Sequence, residues 1–300
     1  MMAINNLSKW FCKTLYRTTH SKQYHHNKNL WPFFKVVRNA TGSIDAVFFK
    51  HKQINTPCVG KEKRNKPLLI MATGPSVNHI DNHFFNASFD YFGVNGAISM
   101  ERIDFKWYAI TDRNFVLRRL SLVKKLVARD DLTVFCPYTT LETIFSNIEW
   151  RHIRCGFKVF EAVSGECVYK FLAAKEKLII NDEHYHWLDG AGFSDNIEYG
   201  LFDYGTVVYP ALQIACALGY RQIYIAGLDM NNFNQPRFYE TVTDKLGTRL
   251  DRDFDQICHS FYAAQSYCEL NNISVVNLSL ESAIDAFPKL SWAHTDKQAS

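Results

Sequence analysis

Several short polar stretches stand directly after apolar runs, and each carries groups suited to holding a nucleotide. Thr73-Gly74-Pro75-Ser76 follows the continuous run Leu68–Met71. Gly74 lets backbone approach a ligand, Pro75 ends a strand, Ser76 offers a helix cap, and N–H groups at a helix start attract an anion. Asn95-Gly96 ends a second run and Thr111-Asp112-Arg113 a third. Gly227-Leu228-Asp229, Asn231 and Asn232, then Arg237 and Tyr239, follow the run Ile223–Ala226. Amides, hydroxyls and a guanidinium in these places suit a base, a ribose and a phosphate. The same residues also read as turn chemistry, because Asx side chains after strands commonly close turns or cap helices. The full G-x-G-x-x-G fingerprint is absent, so Thr73–Ser76 also fits an ordinary strand-to-helix connection.

Bringing those stretches together requires a particular architecture. Short apolar segments at Leu68–Ala72, Tyr91–Asn95, Trp107–Thr111, Leu132–Phe135, Gln222–Ala226 and Ser274–Asn277 read as strands. Between them, apolar residues recur every three or four positions, most clearly in Arg113–Ala128, Thr206–Leu218 and Asp255–Leu270. The alternation predicts an α/β fold, a Rossmann-like, mostly parallel sheet flanked by helices. Ligands of such sheets bind beyond the carboxyl ends of the strands, where the polar stretches fall. Residues 151–204 hold no sustained period and read as a lid or acceptor-side insertion, which makes 67–300 one catalytic domain.

Residues 1–66 differ in kind. They hold 13 Lys/Arg against Asp45 and Glu62, a balance of +11, within a 300-residue chain whose net charge is +4, so the remainder is acidic at −7. Leu7, Trp10, Phe11 and Leu15 fall at helical spacing with Lys9, Lys13 and Arg17 between them, a pattern suited to an anionic membrane surface or to a solvated basic arm. Trp31, Phe33 and Phe34 add an aromatic cluster ahead of Lys35 and Arg38. No nucleic-acid-binding motif is present, and the acidic body opposes a polyanion, so no nucleic-acid partner is expected. A composition that is 47% hydrophobic excludes a disordered chain. Eight scattered cysteines without a C-x-x-C pair, and no secretory leader pattern, point to reduced thiols in a cytoplasmic protein. No apolar run reaches the roughly 20 residues of a membrane span.

The segment Phe202–Asp229, with a helix ending in Ala217-Leu-Gly-Tyr220 before a strand and Gly227-Leu-Asp229, resembles the core of the bacterial CMP-sialic-acid sialyltransferases, which also carry a first-strand Gly-Pro-Ser turn. A nearer resemblance is to the lipopolysaccharide inner-core Kdo transferase family RfaZ/WaaZ. It rests on Thr73–Ser76, Val94-Asn-Gly96, Ile110-Thr-Asp112, Ala211–Ala215, Gly227-Leu-Asp229, Arg237-Phe-Tyr239, Arg252-Asp253 and Asn277-Leu-Ser279, and spans about 68–285. The basic segment lies outside it.

The resemblance implies an inverting, metal-independent glycosyltransferase that moves Kdo from CMP-Kdo to the inner core of lipopolysaccharide. Such an enzyme would work on the cytoplasmic face of the inner membrane, with residues 1–66 on the anionic leaflet. CMP leaves as a monophosphate, so hydroxyls, a helix start and a cation suffice to stabilise it and a divalent metal is optional. Asp251-Arg-Asp253 has D-x-D spacing but reads as a charge cluster at a helix start, and His184 and His186 lack further ligands at metal spacing. No metal or other cofactor is expected. An acceptor hydroxyl needs a general base. The sialyltransferases place a histidine before the last helix, where this chain offers Asp253, then His259, with Asp229 a third candidate; Asp253 equally fits a helix cap. The resemblance implies donor binding by Thr73, Gly74, Pro75, Ser76, Asn95, Gly96, Thr111, Asp112, Thr206, Gly227, Asp229, Arg237 and Tyr239. The sialyltransferase tyrosine after Gly-Ile-Asp is Asn231 here, and of its donor-binding Thr-Ser-Gly only Thr206 is matched, which favours Kdo over sialic acid. The rival readings are a sialyltransferase, an ATP- and magnesium-dependent pyrophosphokinase, and a non-catalytic envelope-assembly protein with a vestigial nucleotide fold.

Overall fold

Apolar runs too continuous for a surface strand become the inner strands of a parallel sheet. The computed structural model describes residues 6–54, 64–86, 88–179 and 182–295. Its principal elements in chain order are α1 (Asn6–Thr19), β1 (Leu68–Met71), β2 (Asp90–Val94), β3 (Phe105–Ala109), α2 (Arg113–Arg118), α3 (Leu120–Val127) and β4 (Thr133–Pro137). There follow α4 (Tyr138–Asn147), β5 (Gly156–Phe160), α5 (Val208–Ala217), β6 (Gln222–Ala226), α6 (Phe254–Leu270) and β7 (Ser274–Asn277). The chain divides into two units, one made of Met1–Val59, Ile110–Asp182 and Ile197–Leu201, the other of Gly60–Ala109, Glu183–Asn196 and Phe202–Ser300.

The second unit carries five parallel strands in the order β7-β6-β1-β2-β3. All four side chains of β1 are fully buried, as a strand covered on both faces requires. From β1 the chain proceeds to β2, whereas from β6 it proceeds to β7 on the opposite side. The turns after β1 and β6 therefore diverge at the point where strand order reverses, the usual ligand crevice of this architecture. Helix α5 is buried along its length, and its Gln213 fastens irregular chain to it: Oε1 accepts from Ser194 N–H (3.1 Å) and Phe202 N–H (3.0 Å), while Nε2 donates to Phe202 O (2.8 Å). On α6 the buried residues Ile257, Phe261, Ala264 and Cys268 recur at helical spacing.

The first unit pairs β4 and β5 in parallel and adds an antiparallel meander, Phe34–Arg38, Ile44–Phe49 and Lys52–Gln53. The meander lies in the basic segment, where the sequence suggested only an arm, and it packs through Phe34 and Phe49 on Phe145 of α4, ring centroids 6.0 and 4.7 Å away. Arg38 reaches the buried Glu161 carboxylate at 2.5 Å. Of the residues singled out in the segment, Cys58 and Glu62 lie outside the described residues. The seven described cysteines form no disulfide.

Two departures have local causes. The predicted helix 113–128 is broken at Arg119 (φ −122°, ψ 39°) into α2 and α3. Arg119 N–H still donates to Phe115 O and Val123 N–H to Arg119 O, so the spacing of buried residues runs through the kink without registering it. Segment 151–204 contains β5, whose buried run is interrupted in sequence by Lys158, a buried cation paired with Glu198. The same segment continues into short antiparallel strands at Ala162–Ser164, Cys167–Tyr169 and Glu176–Lys177 in the first unit. A hairpin, His186–Leu188 with Ala191–Phe193, belongs to the second.

Candidate functional site

The turns after β1 and β6 close on each other. Gly74 N–H donates to Gly227 O at 3.0 Å. A Cβ on Gly74 would stand 2.4 Å from Asp229 Oδ2, and one on Gly227, whose φ is +76°, would stand 2.7 Å from Val77 Cγ2. Only glycine fits either place. Asp229, 5% exposed, then takes a donor at every lone-pair direction its carboxylate has. Oδ2 accepts from Ser76 N–H (3.0 Å) and Asn232 Nδ2 (3.0 Å), and Oδ1 from the hydroxyls of Ser76 and Ser279 (2.7 Å for the latter).

This arrangement differs from the one the sequence suggested. Pro75 opens a 3-10 turn, Pro75–His79, but Ser76 makes no capping bond, because its hydroxyl serves Asp229. The N–H groups of Gly74, Ser76 and Val77 are all used within the protein, the last on Gly74 O at 3.3 Å. Thr73–Ser76 and Gly227–Asp229 thus form a locked crossing of two turns, and an anion here would have to compete with bonds already made.

Beside that crossing lies a second cluster. Phe238 N–H donates to Thr73 O at 3.2 Å, which brings Tyr239 alongside, and its ring covers Gly96 so closely that a Cβ there would stand 2.1 Å from Tyr239 Cε1. Asn95 has φ +45°, and its Oδ1 is buried without a hydrogen-bond partner among the described residues. A buried amide oxygen left unpaired costs about 1–3 kcal/mol, a cost that a ligand N–H or O–H would relieve. Tyr108 braces the turn, donating its hydroxyl to Asn95 O and accepting from Ile98 N–H, both at 2.7 Å. Burial pushes the Tyr108 hydroxyl well above its ordinary pKa, so it stays a donor. One arm of the Arg237 guanidinium is engaged: Nη1 donates to Glu240 Oε1 and Oε2 at 3.1 and 3.3 Å, and the Glu240 side chain is fully buried.

A third group gathers at the start of α6. Asp253 occupies the N-cap position, yet its side chain makes no capping hydrogen bond. Its Oδ2 faces Gly205, standing 3.4 Å from where a Cβ on that glycine would be, and Gly205 precedes the buried Thr206. Arg252 Nε lies 3.8 Å from Asp253 Oδ1. Of the other two candidate bases, Asp229 is saturated, and His259 Nε2 donates to Asp189 O at 3.0 Å, tying α6 to the tip of the 186–193 hairpin. The model describing the 3-deoxy-D-manno-octulosonic acid transferase WaaZ matches residues 48–290, most of the chain.

The chain belongs to the WaaZ family of 3-deoxy-D-manno-octulosonic acid transferases.

A probable 3-deoxy-manno-octulosonic acid transferase of Salmonella typhimurium is 32% identical over 94 residues, 31% of this chain and 34% of that protein. Its counterpart in Escherichia coli K12 is 31% identical over 93 residues, 31% of this chain and 32% of that protein. The chain is thus aligned with about a third of the length of the curated relatives it matches. Among solved structures, the MAf glycosyltransferase of Magnetospirillum magneticum aligns at 16% identity and a TM-score of 0.48, covering 80% of this chain and 35% of that one. The Campylobacter jejuni sialyltransferase CstII, described as in complex with a substrate analogue, cytidine-5'-monophosphate, aligns at 14% and 0.40, covering 77% and 86%.

Two of the candidate donor residues of this WaaZ-family chain sit in the first unit and do turn chemistry there. Asp112 caps α2, accepting from Asn114 N–H at 2.8 Å, and Thr111 O accepts from Thr140 Oγ1 at 2.7 Å. Several residues that complete the clusters were not among the candidate site residues of the sequence, Ser279 having entered only as part of the motif Asn277-Leu-Ser279. Ser279 stands just past the end of β7, where the strand-end rule that found the others would have found it. Glu240 was signalled by its i,i+3 spacing from Arg237. Gly205 and Tyr108 gave no signal, because their roles depend on what folds against them.

Proposed function

We propose that this protein is a glycosyltransferase that moves Kdo from CMP-Kdo to the inner core of lipopolysaccharide with inversion and without a metal. Membership of the WaaZ family supports the sugar and the class of reaction. The observation that carries the reading to a mechanism is the contrast between the two candidate carboxylates: Asp229 accepts four hydrogen bonds, whereas Asp253 makes no capping hydrogen bond. In this scheme the acceptor hydroxyl gives its proton to Asp253 as its oxygen bonds to the anomeric carbon, and the bond to the CMP phosphate breaks with its electron pair leaving on CMP. The buried Oδ1 of Asn95 would accept from the nucleotide or sugar, and Tyr239 with Gly96 would shape the wall beside it. The 186–193 hairpin, tied to α6 through His259, would face the acceptor. Work at the cytoplasmic face of the inner membrane, held by residues 1–66, completes the reading; no helix among the described residues is long and apolar enough to cross a membrane.

Thermal stabilisation by CMP, CDP, UDP and ATP, each with magnesium and with chelator, tests the donor, because a ligand of the folded state raises Tm. Selective, chelator-insensitive stabilisation by CMP, followed by consumption of CMP-Kdo and not CMP-sialic acid, is the expected result. A shift with ATP and magnesium alone overturns it, and consumption of CMP-sialic acid alone makes the protein a sialyltransferase.

A further inference from the structure

The first unit has a groove of about 220 Å³ lined by Lys9, Trp10, Lys13, Lys28, Trp31 and Phe33. Lys9 is already neutralised, with Glu142 Oε1 at 3.2 Å and Ser146 Oγ at 2.7 Å. Lys13 and Lys28, with Arg17 one turn along α1, have no carboxylate partner among the described residues. Burial and the charges of Arg17 and Lys13 lower the pKa of Lys28, the sign of cations gathered without a counter-ion. The same helix buries Tyr16, 3% exposed, yet turns Trp10 (66%), Phe11 (62%) and Leu15 (39%) to solvent. An aromatic ridge thus stands beside a cationic pocket, on one helix whose opposite side is packed.

We propose that this groove binds the phosphate of an anionic membrane lipid headgroup while Trp10, Phe11 and Leu15 enter the interface beside it. A soluble phosphate would account for the cations but not for three large apolar side chains held in water. An acidic lipid satisfies both, since rings at the headgroup level and Lys/Arg near an anionic leaflet are each favourable. This deepens the membrane-surface part of the reading above and does not depend on the sugar donor.

The test is flotation of the full chain with phosphatidylglycerol/phosphatidylcholine vesicles and with pure phosphatidylcholine. Binding should require the anionic lipid. Lys13→Ala/Arg17→Ala/Lys28→Ala should weaken it roughly a hundredfold, at about fivefold per cation. Trp10→Ala/Phe11→Ala should weaken it about tenfold, including at high salt, where charge is screened. Lys22→Ala/Lys35→Ala/Lys50→Ala removes the same charge outside the groove and should lose less than tenfold. Equal losses in the two triple variants would overturn the groove in favour of diffuse attraction. Unchanged binding in the groove variant, or stabilisation by inorganic phosphate without vesicle binding, would also overturn it. Stabilisation by CMP, measured on the groove variant, separates this outcome from a failure of the donor reading.

Discussion

Asp229 and Asp253 stand in the same unit, and both were read as candidate bases, yet they occupy opposite environments. Asp229 is buried at the crossing of two turns, with a donor for each lone pair. Asp253 is half-exposed at the start of α6 and declines even the capping bond its position offers. A carboxylate that fixes two strand ends needs every acceptor site filled, because an unmet one weakens the lock. A carboxylate that takes a proton from an acceptor must keep a site open. The comparison teaches that two aspartates of the same unit differ in how many hydrogen bonds they accept, and on the proposed reading that difference marks which of them serves as the base.

The contrast is broken most directly at Asp253. Asp253→Asn keeps the shape and removes the proton acceptor, so kcat should fall on the order of 10²- to 10⁴-fold while Tm holds, read by CMP release and thermal unfolding. Asp229→Ala should do the reverse in kind: it strands the donors of Ser76, Ser279 and Asn232 and should cost about 3 kcal/mol in denaturant unfolding. Equal stability losses in the two variants would end the distinction. Gly74→Ala sharpens it, since the new methyl would meet Asp229 Oδ2 and Gly227 O, and about 1–3 kcal/mol should be lost, with the damage visible as a lower Tm. Ser279→Ala removes one of four bonds and should cost about 1 kcal/mol with kcat nearly unchanged.

Much of the fold was legible because its signal is local. The run Leu68–Met71 is apolar at every position, which a strand buried on both faces demands, and strands β6 and β7 have the bounds their sequence suggested. Strand β5 was not legible, because Lys158 sits in its middle and its neutralising partner, Glu198, is 40 residues away. The meander at Phe34–Gln53 was hidden by the cations around it, since its buried face is supplied by Phe145 and Phe171, far along the chain. The polar stretches of the site were found by their place after strands, but their tasks were not. Arg237 was read from its cation alone, and the structure adds that its Nη1 is held by Glu240; Asp112 was open between ligand and cap and caps a helix.

By itself the sequence determined the parallel sheet, the strand ends at which polar residues collect, and the basic, aromatic character of the first 66 residues. Those features depend on periodicity, on side-chain type and on charge, each readable within a few turns of chain. Tertiary structure alone decided that Gly74 meets Asp229, that Tyr239 closes over Gly96, and that, among the described residues, Asn95 Oδ1 is left without a donor and Lys13, Arg17 and Lys28 have no carboxylate partner. Each of these is a relation between segments, and whether a polar group is satisfied or open is a property of what folds against it.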